Sequence, residues 1–198
     1  ATGGVRWVST TKIPLRDLQR TVTGLVGISR DITEQRQMAL SLRESEELLA
    51  QIVQGSAVPH YVINREHIVT HWNEACENLT GVPASEMVNT QEPWTAFYPE
   101  KRPVLADLVV DGTIEQEIER YYGGKYKAST VKEGAYEVED FFPHLGQEGR
   151  WLFFTAVALR DSSGEIIGAI ETLQDITERK NRDELEALSM LDAELIDL

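Results

Sequence analysis

At 198 residues and 41% hydrophobic side chains, the chain is long enough for one or two domains and can bury a core. Its net charge of −14 argues against a nucleic-acid surface, and its single cysteine, Cys76, excludes an internal disulfide framework and suits a reducing cytoplasm. No apolar run reaches the ~20 residues of a membrane helix and no signal peptide is visible, so no membrane contact is expected.

Residues Ala1 to Asp31 read as a β-hairpin, with strands Arg6 to Arg16 and Val22 to Ser29 joined through Leu18-Gln19-Arg20. A lone hairpin is marginal in water and needs a surface to dock on, in this chain or in a second copy. Ile32 to Ser56 reads as one helix. Met38, Leu42, Leu49 and Ile52 fall close to a heptad seam, with Ser45 as its weak position. Two readings stand for this stripe: a helix packed on its own domain, or the seam of a parallel homodimer.

A second set of elements starts near Ser56. His60 to Ile63 and Ile68 to Trp72 read as short strands around the turn Asn64-Arg65-Glu66-His67. Asn73 to Gly81 reads as a helix closed by glycine, followed by another over Pro83 to Val88. Glu92 to Pro99 is an aromatic, proline-bounded segment. Lys101 to Val110 reads as a helix that buries Leu105, Leu108 and Val109. Ile114 and Ile118 extend a helical pattern as far as Tyr121-Tyr122-Gly123-Gly124, and Tyr126 to Glu133 reads as an inserted strand or loop. Ala135 to Phe142 alternates like a strand and turns through Pro143 to Gly149.

Trp151 to Arg160 is almost wholly apolar and rich in β-formers, which predicts a strand covered on both faces. Asp161-Ser162-Ser163-Gly164 supplies turn chemistry, and Ile166 to Leu173 is the return strand. Asp175-Ile176-Thr177-Glu178 has the spacing of an N-cap and its N3 partner. The helix after it carries a stripe of Leu185, Leu188, Leu191, Leu195 and Leu198.

This last region has an earlier copy. Arg6-Trp7 aligns with Arg150-Trp151, Leu15-Arg16-Asp17 with Leu159-Arg160-Asp161, and Gly24 with Gly168. Asp31-Ile32-Thr33-Glu34 aligns with Asp175-Ile176-Thr177-Glu178, without a gap from Arg6 onward. A hairpin ending in Asp-Ile-Thr and running into a polar helix resembles the end of a PAS sensor domain with its output helix. The strand pair from His60, Trp72-Asn73-Glu74-Ala75 and the Leu79-Thr80-Gly81 stop resemble the first half of one.

The resemblance implies an α+β PAS fold: a five-stranded antiparallel sheet with short helices on one face, flanked by long N- and C-terminal signalling helices. It divides the chain into the final hairpin of an upstream PAS domain (1–34), a linker helix (35–55), a complete PAS domain (56–179) and the start of an output helix (180–198). The chain opens without methionine and closes inside a helix, so a fragment of a longer bacterial, cytoplasmic signalling protein is expected. Its covalently linked output domain is expected to be a histidine kinase, with a diguanylate cyclase as the alternative.

The helix Lys101 to Val110 would border the ligand cavity of such a domain. Tyr98, Arg102, Tyr121, Tyr122, Lys125, Lys127 and Tyr136, with Phe153 and Thr155, surround that cavity in sequence terms. Arginine and lysine beside tyrosine hydroxyls suit a small molecule such as a carboxylate; the plainer reading has the tyrosines packed and the charges solvated. Trp151, Asp175, Thr177 and Glu178, with Asp31 and Thr33 in the first copy, are the expected signal-relay residues. Met38, Leu42, Leu49 and Ile52 are the expected dimer residues.

There is no Gly-rich phosphate loop, no metal-ligand spacing and no Gly-x-Ser-x-Gly elbow, so no catalytic activity is expected of this stretch. Haem and flavin are not expected either. His60, His67, His71 and His144 lie off the helix Lys101 to Val110, and Cys76 sits in Asn-Glu-Ala-Cys-Glu, not in an Asn-Cys-Arg setting. The reading of a different class is a ligand-free dimerisation or spacer module.

Overall fold

The computed structural model describes residues 5–129 and 135–196, with side chains up to Ser189. The chain divides into two units, Ala1–Ile52 and Val53–Leu198.

In the first unit β1 (Val8–Arg16) pairs antiparallel with β2 (Val22–Asp31). The Asp17 carboxylate closes the turn by accepting from the Gln19 and Thr21 amides at 2.9 and 2.8 Å. Helix α1 (Thr33–Gln54) follows directly. Met38, Leu42, Leu49 and Ile52 are between 59% and 63% exposed, so the predicted seam is open among the described residues.

The second unit is a sheet with helices on one face. Its strands are β3 (His60–Asn64), β4 (Val69–Trp72), β5 (Tyr126–Ala128), β6 (Tyr136–Phe142), β7 (Arg150–Arg160) and β8 (Ile166–Asp175), in the order β4-β3-β8-β7-β6-β5. All pairs are antiparallel. Among the described residues the sheet thus has six strands where five are expected, because the inserted segment after Gly124 pairs with β6 as the short edge strand β5. Residues 130–134 of that insertion lie outside the described residues.

Among the described residues five α-helices and one 3-10 turn, Pro93–Ala96, complete this unit; the α-helices are α2 (Glu74–Thr80), α3 (Ala84–Met87), α4 (Leu105–Asp111), α5 (Ile114–Tyr122) and α6 (Thr177–Ile196). Asn73 caps α2, its Oδ1 accepting from the Cys76 amide at 3.0 Å, and Gly81 ends it with φ 77°. Lys101 to Val104 lie outside any helix, so α4 begins later than expected. Gly112, at φ 66°, separates α4 from α5. Of the stripe on α6, Leu185 and Leu188 are exposed; Leu191, Leu195 and Leu198 lie outside the described side chains.

Strand alternation sorts the sheet into two faces. Tyr61, Ile63, Val138, Phe142, Leu152, Phe154, Ala156, Ala169 and Leu173 are buried in one core with Leu105, Leu108, Ile118 and Tyr122 of α4 and α5. Trp151, Phe153, Thr155 and Val157 point the other way and are half-buried, so β7 is not covered equally on both faces. Gly168 is required where it stands: a Cβ there would strike the Ile63 carbonyl oxygen of the paired strand β3.

Candidate functional site

The polar centre of the core is Glu171, which the sequence reading did not single out. It is 3% exposed. Its Oε2 accepts from the Tyr61 hydroxyl at 2.7 Å and from the Ala106 amide, in the first turn of α4, at 2.8 Å. Burial pushes its carboxyl group up to about 7, against the two hydrogen bonds, which favour the charged form. Burial first, and then the Glu171 charge, hold the Tyr61 hydroxyl well above its ordinary range. The signal was present in the sequence: in Ile166 to Asp175, alternation puts Glu171 on the same face as Ala169 and Leu173.

Glu171 lines a narrow interior space with Phe97, Tyr98, Val104, Phe142, Phe154 and Leu173, in which no water-sized sphere fits. Aromatic rings fill this region: Phe142 lies 6.0 Å from Phe154, 6.1 Å from Phe97 and 5.6 Å from Tyr98, centroid to centroid. Of the nine residues expected around a cavity, only Tyr98 borders this space. Tyr122 is buried beside Phe154, with its hydroxyl 3.4 Å from that of Tyr98. Desolvation raises both of these tyrosines.

The other expected residues point elsewhere. Phe153 and Thr155 have the opposite strand parity to Phe154, and Thr155 Oγ1 lies 2.8 Å from Thr172 Oγ1 on the outer face. Lys125 pairs with Asp140 at 2.6 Å and Lys127 with Glu137 at 3.1 Å, so neither ammonium reaches the interior. Tyr136 is half-buried against the core edge. Arg102 is enclosed by tyrosines: its guanidinium carbon lies 4.1, 4.7 and 5.2 Å from the ring centres of Tyr98, Tyr122 and Tyr121. Its Nη2 donates to the Tyr121 carbonyl at 2.9 Å. The expected convergence of cations on one interior ligand is therefore not what the fold builds.

Next to Arg102 an open cleft of about 360 Å³ is lined by His67, Trp94, Lys101, Arg102, Asp107 and Asp111, among others. His67, in the left-handed region at φ 63°, is clamped by α4, with Nδ1 2.7 Å from Asp107 Oδ1 and Nε2 3.1 Å from Asp111 Oδ1. Burial alone would lower its pKa, but the two carboxylates outweigh that and raise it. Of the other histidines, His60 Nδ1 lies 2.9 Å from the Val58 carbonyl oxygen, and His71 Nδ1 3.0 Å from Thr70 Oγ1. The His144 ring packs on Phe142. Cys76 is buried, which drives its thiol pKa up and favours the neutral thiol.

The strand-to-helix junctions are the second polar site. At the second copy the Ile176 amide donates to the Trp151 carbonyl at 2.8 Å, and the Trp151 amide donates to Thr177 Oγ1 at 3.0 Å. Asp175 Oδ1 accepts from the amide and the hydroxyl of Thr177, at 2.9 and 2.6 Å. At the first copy the Ile32 amide donates to Trp7 O at 2.9 Å, the Trp7 amide to Thr33 Oγ1 at 2.8 Å, and the Thr33 amide to Asp31 Oδ1 at 2.9 Å. The partner of the aspartate is thus the threonine two residues on, in place of the expected Glu178. Arg36 lies over the Trp7 ring at 4.6 Å and Lys180 over the Trp151 ring at 5.1 Å. The second junction has a further clamp that was not foreseen. Arg179 and Lys180 grip Glu139 of β6 at 2.7 and 2.6 Å, and the Lys180 bond leads in lowering the Glu139 carboxyl pKa.

The α+β architecture, an antiparallel sheet with helices packed on it, is that of the PAS fold. The model for the PAS fold family matches residues 1–37 and 53–181, and the chain belongs to that family. Among solved structures it is similar to the PAS domain of Bordetella pertussis BvgS, at 22% identity and TM-score 0.46, covering 81% of this chain and 99% of that one. It is also similar to a sensory box histidine kinase/response regulator from Burkholderia thailandensis, at 20% identity and TM-score 0.41, covering 76% and 98%. A third likeness is to an RNA-binding light-oxygen-voltage receptor, at 19% identity and TM-score 0.49, covering 96% and 45%. No curated protein matches the chain. No helix among the described residues is long and apolar enough to cross a membrane.

Proposed function

We propose that this chain is a tandem PAS segment of a signalling protein. It takes a small-molecule signal and passes it along α1 and α6 to a linked output domain, a histidine kinase before a diguanylate cyclase. The observation that carries this reading is the duplicated junction. Both hairpins tie their first strand to the following helix through the same tryptophan amide, threonine hydroxyl and aspartate. Such a joint makes the pose of a helix depend on the pose of a sheet.

Gly24 supports placing the first hairpin at the end of an upstream domain. Its counterpart Gly168 is needed because β3 runs against it. A Cβ on Gly24 meets only the Leu15 side chain, at 3.6 Å. A strand paired along β2 would account for a glycine there. The exposed stripe Met38, Leu42, Leu49 and Ile52 supports a parallel homodimer through α1.

The filled interior favours a second reading, a dimerisation or relay module without a ligand. The two are separated by assaying the output of the intact protein after Asp31→Ala and Asp175→Ala. A sensory relay responds to both with altered basal or stimulated output. Unchanged output from both variants would refute the relay.

A further inference from the structure

Among the described residues two buried N–H groups lack an acceptor, Trp94 Nε1 and Arg102 Nε. Buried donors of this kind are nearly always paired. Both residues border the open cleft of about 360 Å³ beside α4, and Lys101 stands exposed on its rim. The acids of that cleft are already engaged. Asp107 and Asp111 hold His67, and Asp107 Oδ2 also accepts from the Val104 amide at 3.0 Å. The cleft therefore sets two orphaned donors and the cations Lys101 and Arg102 beside two carboxylates that are turned to His67.

We propose that this cleft binds a small carboxylate, whose oxygens accept from Trp94 Nε1–H and Arg102 Nε–H while Lys101 adds charge at the rim. A carboxylate fits because it supplies two acceptor oxygens on one planar group, and charge-assisted bonds from guanidinium to carboxylate are the strong class. The site is separate from the aromatic interior space, which Arg102 meets through the face of Tyr98. That contact gives the site a route inward. Tyr98 and Glu171 border the same interior space, and Glu171 lies on β8, which runs to Asp175. Only this consequence rests on the sensory reading; the binding itself does not.

The test is an NMR titration of the ¹⁵N-labelled chain with sodium succinate, set against sodium chloride and inorganic phosphate at matched ionic strength. The Trp94 indole N–H signal is assigned by its loss in Trp94→Phe. The expected result is a saturable shift of that signal in succinate alone, with the Trp7 and Trp151 indole signals unmoved. Lys101→Gln weakens the response several-fold and Arg102→Gln abolishes it. If Arg102→Gln does not fold, the exposed Lys101 variant decides. A Trp94 signal that moves no more in succinate than in chloride, that responds equally to phosphate, or that responds undiminished in Lys101→Gln overturns the proposal. Binding is read without an output domain, so its failure leaves the junction reading standing, and a silent junction leaves the binding result standing.

Discussion

Replacing Glu171 with Gln removes a charge from the core while keeping an oxygen to accept from Tyr61 and Ala106. The carboxyl group moves from 4.5 to about 7 on folding, a gap worth roughly 3 kcal/mol. The folded chain therefore keeps a proton through the pH window in which the unfolded chain has released it. Stability from this group is complete below 4.5 and is lost as pH rises through about 7. Urea unfolding followed by far-UV circular dichroism, from about pH 5 to about pH 8, measures this. The native chain loses stability across the range and Glu171→Gln loses less. Their difference grows in favour of the variant by roughly 3 kcal/mol. His67, whose pKa is also raised, contributes a loss of the same sign, but it is present in both proteins and cancels in the difference. A difference that stays flat with pH would refute the assignment of a proton to Glu171.

Gly168→Ala should cost about 3 kcal/mol or more, because its methyl group meets backbone and not a side chain that can swing away. Gly24→Ala, its counterpart, should cost under about 1 kcal/mol in this chain, and thermal melts of the two variants check the contrast. Thr177→Val deprives the Trp151 amide of its acceptor and should cost about 1 kcal/mol in the same assay, with the fold retained. Light scattering at micromolar concentration should find a dimer for the native chain and a monomer for Leu42→Glu combined with Leu49→Glu; a native monomer would contradict the role given to α1.

The fold was legible because its signals are local. The apolar run Trp151 to Arg160, the Asp161 turn and Gly81 behind a short helix each act over a few residues. The duplicated Arg-Trp and Asp-Ile-Thr-Glu blocks placed the junctions without reference to the rest of the chain. The site was less legible because it depends on strand parity and on pairs far apart. Phe153 and Phe154 are neighbours in sequence but lie on opposite faces of β7. The Glu171–Tyr61 bond joins residues 110 positions apart, and the grip of Arg179 and Lys180 on Glu139 crosses from α6 to β6. Arg102 was found by residue type but misplaced, because nothing local shows that tyrosine rings would enclose its guanidinium. Glu171 could have been found by carrying the in-and-out alternation of β8 one step further, to the one acid that faces inward.

The relay is tested most directly by two aspartates with similar local roles and different places. Asp175 Oδ1 accepts two bonds from Thr177 at the junction, and Asp161 Oδ1 accepts from the Ser163 and Glu165 amides in the β7–β8 turn. Each change to alanine removes a capping-type carboxylate and should cost about 1 kcal/mol. In the intact signalling protein the account predicts that Asp175→Ala shifts output while Asp161→Ala, at the same loss of melting temperature, leaves it at the native level. Equal output from the two variants would contradict it, since Asp175 would then be a helix cap and nothing more.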